Sequence, residues 1–239
     1  MAVVLGRTVV LALACFALAG CDAAPSGTSA EAEPSGCAAL EIVGIRGQVQ
    51  SLEANDGLGT EVSRISAALA DDPGLGTVRT TAIRHASRLG SWDQYLEDVR
   101  DGRRRLGKEV RSIVADCPET RIAVIGFSQG SQVAREELAA DPRLARHVDV
   151  LVLVGSPLRD PSSPFEHVEL TGGVPAAAGR LGPGSGLGEL SERTMEACIA
   201  GDAVCADGSS PDDTIHRHAY EDPDVAQAIA NAAATVLAG

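Results

Sequence analysis

The sequence RIAVIGFSQGSQVAREEL, Arg121–Leu138, has the strongest structural pattern in this chain. Its apolar part, Ile122–Ile125, is rich in β-branched residues and predicts a buried strand. After a turn, apolar residues such as Val133 and Leu138 recur at helical spacing and predict a helix. The turn itself, Gly126–Gly130 (GFSQG), has the Gly-x-Ser-x-Gly pattern of a nucleophile elbow, which requires this strand–turn–helix context.

Ser128 is therefore the candidate nucleophile. The two glycines of the motif allow a sharp turn that holds Ser128 at the N-terminus of the helix. Backbone N–H groups and the helix dipole favour a developing negative charge there. The motif alone often occurs by chance, and the alternative is an ordinary strand–helix turn with a solvated serine.

Residues 1–20 predict an export signal. Arg7 is followed by the apolar run Thr8–Leu18, which is too short to span a bilayer. Leu18–Cys21 (LAGC) resembles the lipobox of a bacterial lipoprotein signal. This resemblance implies cleavage before Cys21 and a diacylglycerol on its thiol, whereas the alternative is a plain secretory signal peptide cleaved nearby.

The cysteine count agrees with lipidation. The six cysteines are Cys15, Cys21, Cys37, Cys117, Cys198 and Cys205. Cys15 leaves with the signal, and an odd cysteine in an exported protein needs an explanation, which lipidation of Cys21 supplies. The other four can pair in an oxidising compartment.

The remaining chain divides into a linker and one domain. Asp22–Gly36 is rich in Ala, Ser, Gly, Pro and Glu without an apolar period, which predicts a flexible tether. We expect a lipidated cysteine and linker over 21–36 and one globular domain over 37–239. The expected location is the outer face of the cytoplasmic membrane or cell envelope, or release as a secreted protein.

Composition excludes several classes of function. The net charge of −13 makes binding to nucleic acid or to anionic lipid surfaces unfavourable. The aromatic content of 3% argues against base stacking or a carbohydrate-binding platform. We find no metal-ligand spacing and no Gly-rich phosphate loop, so we expect no metal and no cofactor, and we expect a monomer.

Strands that alternate with helices predict an α/β fold, a three-layer α/β/α sandwich with a mostly parallel central sheet. The other predicted strands are Leu40–Ile45, Val78–Ile83 and Val148–Val154, and the other predicted helices are Asp56–Leu69, Gln94–Ala115 and Asp224–Leu237. Gly155–Gly188 is rich in Gly and Pro and predicts an irregular covering segment. Sites in such sheets form at the carboxyl ends of strands, where Ser128 lies.

A serine nucleophile needs a general base and an orienting carboxylate. The five histidines are His85, His147, His167, His216 and His218. In α/β-hydrolases the base lies on a late loop before the final helix, where only His216 and His218 lie. Solvated or packing roles suit His85 and His147 better, and His167 in the irregular segment stays open.

Four features together resemble one family. The elbow Gly126–Gly130 is similar to Gly-Tyr-Ser-Gln-Gly, and Cys198–Cys205 (CIAGDAVC) matches Cys-x-x-Gly-Asp-x-x-Cys. A His and a Tyr follow within His216–Tyr220, and Cys117 with a proline precedes the elbow strand. These motifs resemble the cutinase family of secreted bacterial serine esterases, from Cys37 to the C-terminus.

The resemblance implies roles for individual residues. Ser128 would be the nucleophile and Asp202 the orienting acid, although Asp202 as a simple turn residue is the alternative. The implied disulfides are Cys37–Cys117 and Cys198–Cys205. The first disulfide would stabilise the domain as a whole, and the second would fix the direction of the Asp202 side chain.

Two positions depart from the family pattern. The oxyanion donors would be the backbone N–H groups of Gln129 and Gln48, but Gln48 stands where the family has Ser or Thr, and this change predicts weaker activity. The family's histidine usually lies three residues before a Tyr, where this chain has Arg217. We favour His216 as the base, with His218 as the alternative.

The sequence thus predicts a serine esterase that hydrolyses carboxylic esters, of short- to medium-chain acyl groups or of lipids, through an acyl-enzyme. Its partners would be the ester substrate and, through Cys21, a membrane. One alternative is a catalytically weak or inactive envelope lipoprotein that binds a lipid or a partner with the same fold. Another is an enzyme that acts on a phospholipid or a thioester.

Overall fold

The structure is a computed structural model, and it describes residues 36–206 and 212–239. Its strands are β1 (Leu40–Ile45), β2 (Val78–Ala82), β3 (Arg121–Phe127), β4 (Val150–Val154), β5 (Glu166–Val168) and β6 (Thr194–Ala197). They form one sheet in the order β2-β1-β3-β4-β6-β5, and every neighbouring pair is parallel.

The helices cover both faces of this sheet. They are α1 (Thr60–Ala70), α2 (Trp92–Asp116), α3 (Gln129–Ala140), α4 (Pro142–Ala145), α5 (Thr214–His218) and α6 (Pro223–Ala238). Side chains alternate along β1, so that Ile42 packs with α1 and α6, and its neighbour Val43 packs with α2 and α3. The predicted three-layer sandwich is confirmed.

The start of α1 differs from the prediction. The sequence predicted a helix from Asp56, but α1 begins at Thr60. Asn55, Asp56 and Gly57 have φ angles of 49°, 55° and 87°, which lie in the left-handed region and cannot continue a right-handed helix.

Two strands were missing from the prediction. The segment predicted to be irregular, Gly155–Gly188, contains β5, and β6 follows it. β5 is only 3 residues long. β6 contains Glu196, an acidic residue that is 1% exposed and whose Oε1 lies 3.1 Å from Nη1 of Arg135 in α3. A buried ion pair is unusual within a strand, so this sequence does not have the apolar pattern of β3 and β4.

The N-terminal end of the described chain is tied to the amino-terminal edge of the sheet. Cys37 lies just before β1 and forms a disulfide with Cys117, at the end of α2. In a parallel sheet the carboxyl ends of the strands, including the end of β3 at Phe127, lie at the opposite edge. Cys21 lies outside the described residues, and within the described part of the chain we find no helix with the length and apolar character to cross a membrane.

Candidate active site

The turn between β3 and α3 has the strained geometry of a nucleophile elbow. Ser128 has φ 53° and ψ −116°, a conformation that residues with a side chain rarely adopt. The flanking glycines have no room for a side chain. A Cβ on Gly126 would lie 2.5 Å from the carbonyl oxygen of Gly130, and a Cβ on Gly130 would lie 2.1 Å from that of Ile45.

Hydrogen bonds to neighbouring strands hold this turn. The Ser128 N–H donates to the carbonyl of Val154 at 2.9 Å. The buried hydroxyl of Ser131 lies 2.6 Å from the carbonyl oxygen of Gly126 and 2.9 Å from that of Val154. The position of Ser128 is therefore fixed by β3, β4 and α3 together.

The structure brings His216, and not His218, to Ser128. His216 Nε2 lies 2.8 Å from Ser128 Oγ, and the imidazole stacks on Phe127 with 5.0 Å between ring centroids. Gly155, at the end of β4, leaves space for the ring, since a Cβ there would lie 3.0 Å from His216 Cε1. His218 is exposed and its Nδ1 lies 3.7 Å from Glu221.

Asp202 lies on the other side of the imidazole. Its Oδ2 is 2.9 Å from His216 Nδ1, and its Oδ1 accepts from the N–H groups of Val204 at 2.6 Å and Cys205 at 3.2 Å. The carboxylate is fully buried. Burial alone would raise the pKa of Asp202, but its hydrogen bonds and the charge of His216 hold that pKa below the usual value.

Tyr220 is a member of this cluster whose contact was not predicted from the sequence. Its hydroxyl donates to Asp202 Oδ2 at 2.7 Å and accepts from the N–H of Ile199 at 3.0 Å. The position of Tyr220 shortly after the late histidines was the available signal, but it does not show which group the hydroxyl contacts. Burial, followed by the negative charge of Asp202, raises the pKa of Tyr220 well above its usual value, so Tyr220 keeps its proton.

The two candidate oxyanion donors lie in different segments of the chain. Gln129 is the first residue of α3, whose N–H has no acceptor inside the helix. Gln48 lies in the loop after β1, and its side-chain Nε2 donates to the carbonyl of Arg88 at 3.0 Å. The side chain of Gln48 is thereby held by the loop after β2.

The other histidines lie in different surroundings. His85 is buried beside Arg46, and burial lowers its pKa. His147 is exposed. His167 lies in β5, with its Nδ1 3.9 Å from Glu196 Oε2. Among residues 36–206 and 212–239, no group of three His, Cys, Asp or Glu side chains is arranged to hold a metal ion.

Both cysteine pairs implied by the resemblance form disulfides in the structure. Cys37 and Cys117 are joined with 5.7 Å between their Cα atoms, and Cys198 and Cys205 with 5.9 Å. The second bridge closes the loop that contains Asp202. It therefore limits the directions in which this carboxylate can point.

Comparison with known proteins agrees with this geometry. A model of the cutinase family matches residues 36–236. The chain belongs to the cutinase family. Carboxylesterase Culp1 of Mycobacterium tuberculosis is 28% identical over 194 residues, which are 81% of this chain and 79% of that protein. The cutinase of Monilinia fructicola is 26% identical over 189 residues, 78% of each chain.

Solved structures of other proteins share this fold. A cutinase-like protein from Cryptococcus superposes with a TM-score of 0.66 at 15% identity, over 84% of this chain and 95% of that one. The catalytic core of acetyl xylan esterase from Trichoderma reesei has a TM-score of 0.63 at 21% identity, over 82% and 98%. At these identities the likeness shows the fold alone. Family membership makes the chain a serine hydrolase of carboxylic esters and does not favour the non-catalytic alternative.

Proposed function

We propose that this cutinase-family protein hydrolyses carboxylic esters, of short- to medium-chain acyl groups or of lipids, through an acyl-enzyme on Ser128. The continuous hydrogen-bonded series Ser128 Oγ, His216 and Asp202 is the observation that supports this proposal. His216 would act as general base in acylation and as general acid when the alcohol leaves.

The proton positions follow from the contacts. Asp202 accepts a hydrogen bond from Nδ1 of His216, so Nδ1 carries the imidazole proton. Nε2 therefore has no proton and can take the proton of the Ser128 hydroxyl. When the imidazolium forms, the ionised Asp202 stabilises it. The lowered pKa of Asp202 keeps its carboxylate in the ionised form that this role requires.

The backbone N–H groups of Gln129 and Gln48 would bind the oxyanion of the tetrahedral intermediate. The position of Gln129 at the start of α3 supports the first assignment, because such N–H groups point toward an anion at the helix N-terminus. The side chain of Gln48 is engaged with Arg88, so only its backbone N–H would serve. The reaction as proposed uses side chains and peptide groups of this chain and takes no cofactor.

Site-directed variants test the assignment of the base. In Ser128→Ala and His216→Ala, hydrolysis of p-nitrophenyl butyrate should fall by about 10⁴-fold or more, because triad members act as a unit. His218→Ala is the matched control and should keep its activity, since His218 faces solvent. Loss of activity in His218→Ala and retention in His216→Ala would contradict the proposal. If the folded protein shows no turnover and no labelling of Ser128 by a fluorophosphonate, the esterase proposal fails and the alternative of an inactive binding lipoprotein is favoured.

The acyl and alcohol parts of the substrate are proposed from the family alone. The segment 155–188 begins beside the site at Gly155, where an added Cβ would lie 3.0 Å from His216 Cε1, and would form part of the acyl-binding wall. A panel of p-nitrophenyl esters from acetate to palmitate, with a phospholipid and a thioester beside it, identifies the preferred acyl donor. A preference for the thioester would overturn the carboxylic-ester proposal, whereas a preference for the phospholipid, whose acyl groups are carboxylic esters, would identify a lipid substrate.

We further propose export after cleavage of residues 1–20, with a lipid on Cys21 that holds a monomer at the outer face of the cytoplasmic membrane. The apolar run Thr8–Leu18 and the odd cysteine support this proposal. In Cys21→Ser the protein should move from the membrane fraction to the soluble fraction, whereas Cys15→Ser should leave it in place. A mature N-terminal peptide without a lipid, measured by mass spectrometry, would show a plain secretory signal. The molar mass in solution, measured by light scattering, tests whether the protein is a monomer.

A further inference from the structure

We propose that Ser87 and Gln50 are positioning residues of the oxyanion site. They hold the peptide between Gly47 and Gln48 in the orientation in which the Gln48 N–H faces the elbow. This inference rests on the proposed role of Gln48 as a donor. It adds two residues, from the loops after β1 and β2, that contact neither Ser128 nor His216 in the hydrogen-bond network.

Ser87 fixes the carbonyl side of this peptide. The Ser87 hydroxyl is buried and donates to the carbonyl of Gly47 at 2.8 Å. Because a trans peptide is planar, the N–H of Gln48 points in the direction opposite to that carbonyl. Among the hydrogen bonds of residues 36–206 and 212–239, none uses the Gln48 N–H. The hydrogen bond from Ser87 therefore orients the Gln48 N–H, which is available as a donor, away from the loop that contains Ser87.

Gln50 fixes the preceding peptide group. Its Oε1 accepts from the N–H of Gly47 at 2.7 Å, so Gly47 is held through both its N–H and its carbonyl. Its Nε2 donates to Glu61 Oε2 at 2.5 Å, at the first turn of α1. The Gly47 N–H can only donate, so the amide oxygen of Gln50 faces Gly47 and its Nε2 faces Glu61.

The backbone around Gln50 leaves space for this amide. A Cβ on Gly59, which has φ 75°, would lie 2.2 Å from Gln50 Oε1. A Cβ on Gly47 would lie 2.8 Å from the ring of Phe127 and 3.3 Å from Gln50 Oε1. Two glycines thus allow the loop to lie between the Gln50 side chain and Phe127, the residue that precedes Ser128.

The decisive comparison is Ser87→Ala with Ser87→Thr. Ser87→Ala removes the donor to the Gly47 carbonyl, and we expect kcat for p-nitrophenyl butyrate to fall about 10- to 100-fold with KM within about twofold. A donor that is only loosened should lower kcat less than the removal of a donor, which lowers kcat about 10²–10³-fold. Ser87→Thr keeps the hydroxyl and should restore kcat. Ser66→Ala, at a buried serine of α1 whose hydroxyl has no partner, is the matched control and should leave kcat unchanged.

A second readout separates positioning from folding. An alkyl trifluoromethyl ketone forms an adduct with a serine nucleophile and places an oxyanion in the donor site, so its Ki should rise by the same factor as kcat falls. The pH dependence of kcat/KM should stay as in the wild type, because the contacts of His216 are unchanged. Gln50→Met should show the same pattern, and urea unfolding shows whether it folds.

Two outcomes would overturn this inference: unchanged kcat in folded Ser87→Ala, or a fall in kcat without the matching rise in Ki. If Gln50→Met does not fold, the comparison of Ser87→Ala with Ser87→Thr alone tests the inference. Failure of the proposed function looks different. In that case the wild-type protein itself shows no turnover and no labelling of Ser128.

Discussion

Tyr220 links the acid of the site to the loop that carries it. Its fully buried hydroxyl donates to Asp202 and accepts from the Ile199 N–H, and it lies 3.2 Å from Cys205 Sγ. Cys205 belongs to the disulfide that closes the Asp202 loop. One hydroxyl group thus connects the carboxylate, the backbone and the disulfide-closed loop, so that a change at Tyr220 acts on Asp202 without touching Ser128.

Tyr220→Phe should lower kcat by about tenfold, because Asp202 loses one of its donors but keeps those from His216 and Val204. It should also lower the free energy of unfolding by about 1–3 kcal/mol, since the buried Ile199 N–H loses its acceptor. Steady-state kinetics and urea unfolding measure the two effects.

Tyr95→Phe is the matched control for this substitution. The Tyr95 hydroxyl donates to Gln132 at 2.6 Å and makes no contact with Asp202, so kcat should not change. Equal losses of kcat in both variants would contradict a specific role for Tyr220.

The lowered pKa of Asp202 stabilises the fold above about pH 4, and this contribution is lost as the pH falls. Tyr220→Phe should reduce this contribution of Asp202 to the free energy of unfolding.

The sequence favoured His216 as the base and left His218 as the alternative. His216 lies four residues before Tyr220 and His218 two, whereas the family spacing is three, so neither fits. The structure distinguishes them because both lie in the short helix α5, where residues two apart do not share a face. His216 faces inward toward Ser128, and His218 faces solvent.

At the level of elements, the two most apolar strands were predicted, and a buried strand with a charged residue was missed. β3 and β4 are covered by helices on both faces, so they read as continuous apolar runs that are easily recognised. β6 is equally buried, but Glu196 depends on Arg135, a residue 61 positions away in the sequence. No local pattern reveals a strand whose charged residue is neutralised from a distant helix.

The loop after β1 that contains Gln48 shows the same limit. Its contacts join Gly47 to Ser87 and Gln48 to Arg88, each 40 residues apart, and both partners are ordinary polar residues of a loop. The motif around Gln48 predicted a donor at this position. It did not predict what orients that donor, because the orientation comes from tertiary contacts of the loop after β2.

For the whole molecule, the two disulfides should contribute unequally. Replacing Cys37 and Cys117 by Ser opens a loop of 80 residues and should lower the free energy of unfolding by ~4.5 kcal/mol. Replacing Cys198 and Cys205 opens a separation of only 7 and should cost ~2.5 kcal/mol. Urea unfolding under oxidising conditions measures both, and the reverse order would contradict the loop-length argument.

The two pairs should also differ in their effect on catalysis. The Cys198–Cys205 variant releases the loop that directs Asp202, so its kcat should fall even at temperatures where it remains folded. The Cys37–Cys117 variant should keep its kcat below its own unfolding temperature. Activity assays at 10–15 °C below each Tm would separate the roles, and equal kcat values in both variants would contradict them.

The attachment of Cys37 at the amino-terminal edge of the sheet has a practical consequence. The strands of this sheet are up to 7 residues long, about 20 Å, so that distance separates this edge from the edge with Ser128. Molecules coupled to a bead or an electrode through the N-terminal side of Cys37 would be held by the edge remote from the elbow. Their catalytic edges would face the solution, and a bulky fusion partner placed there would leave the approach to Ser128 open.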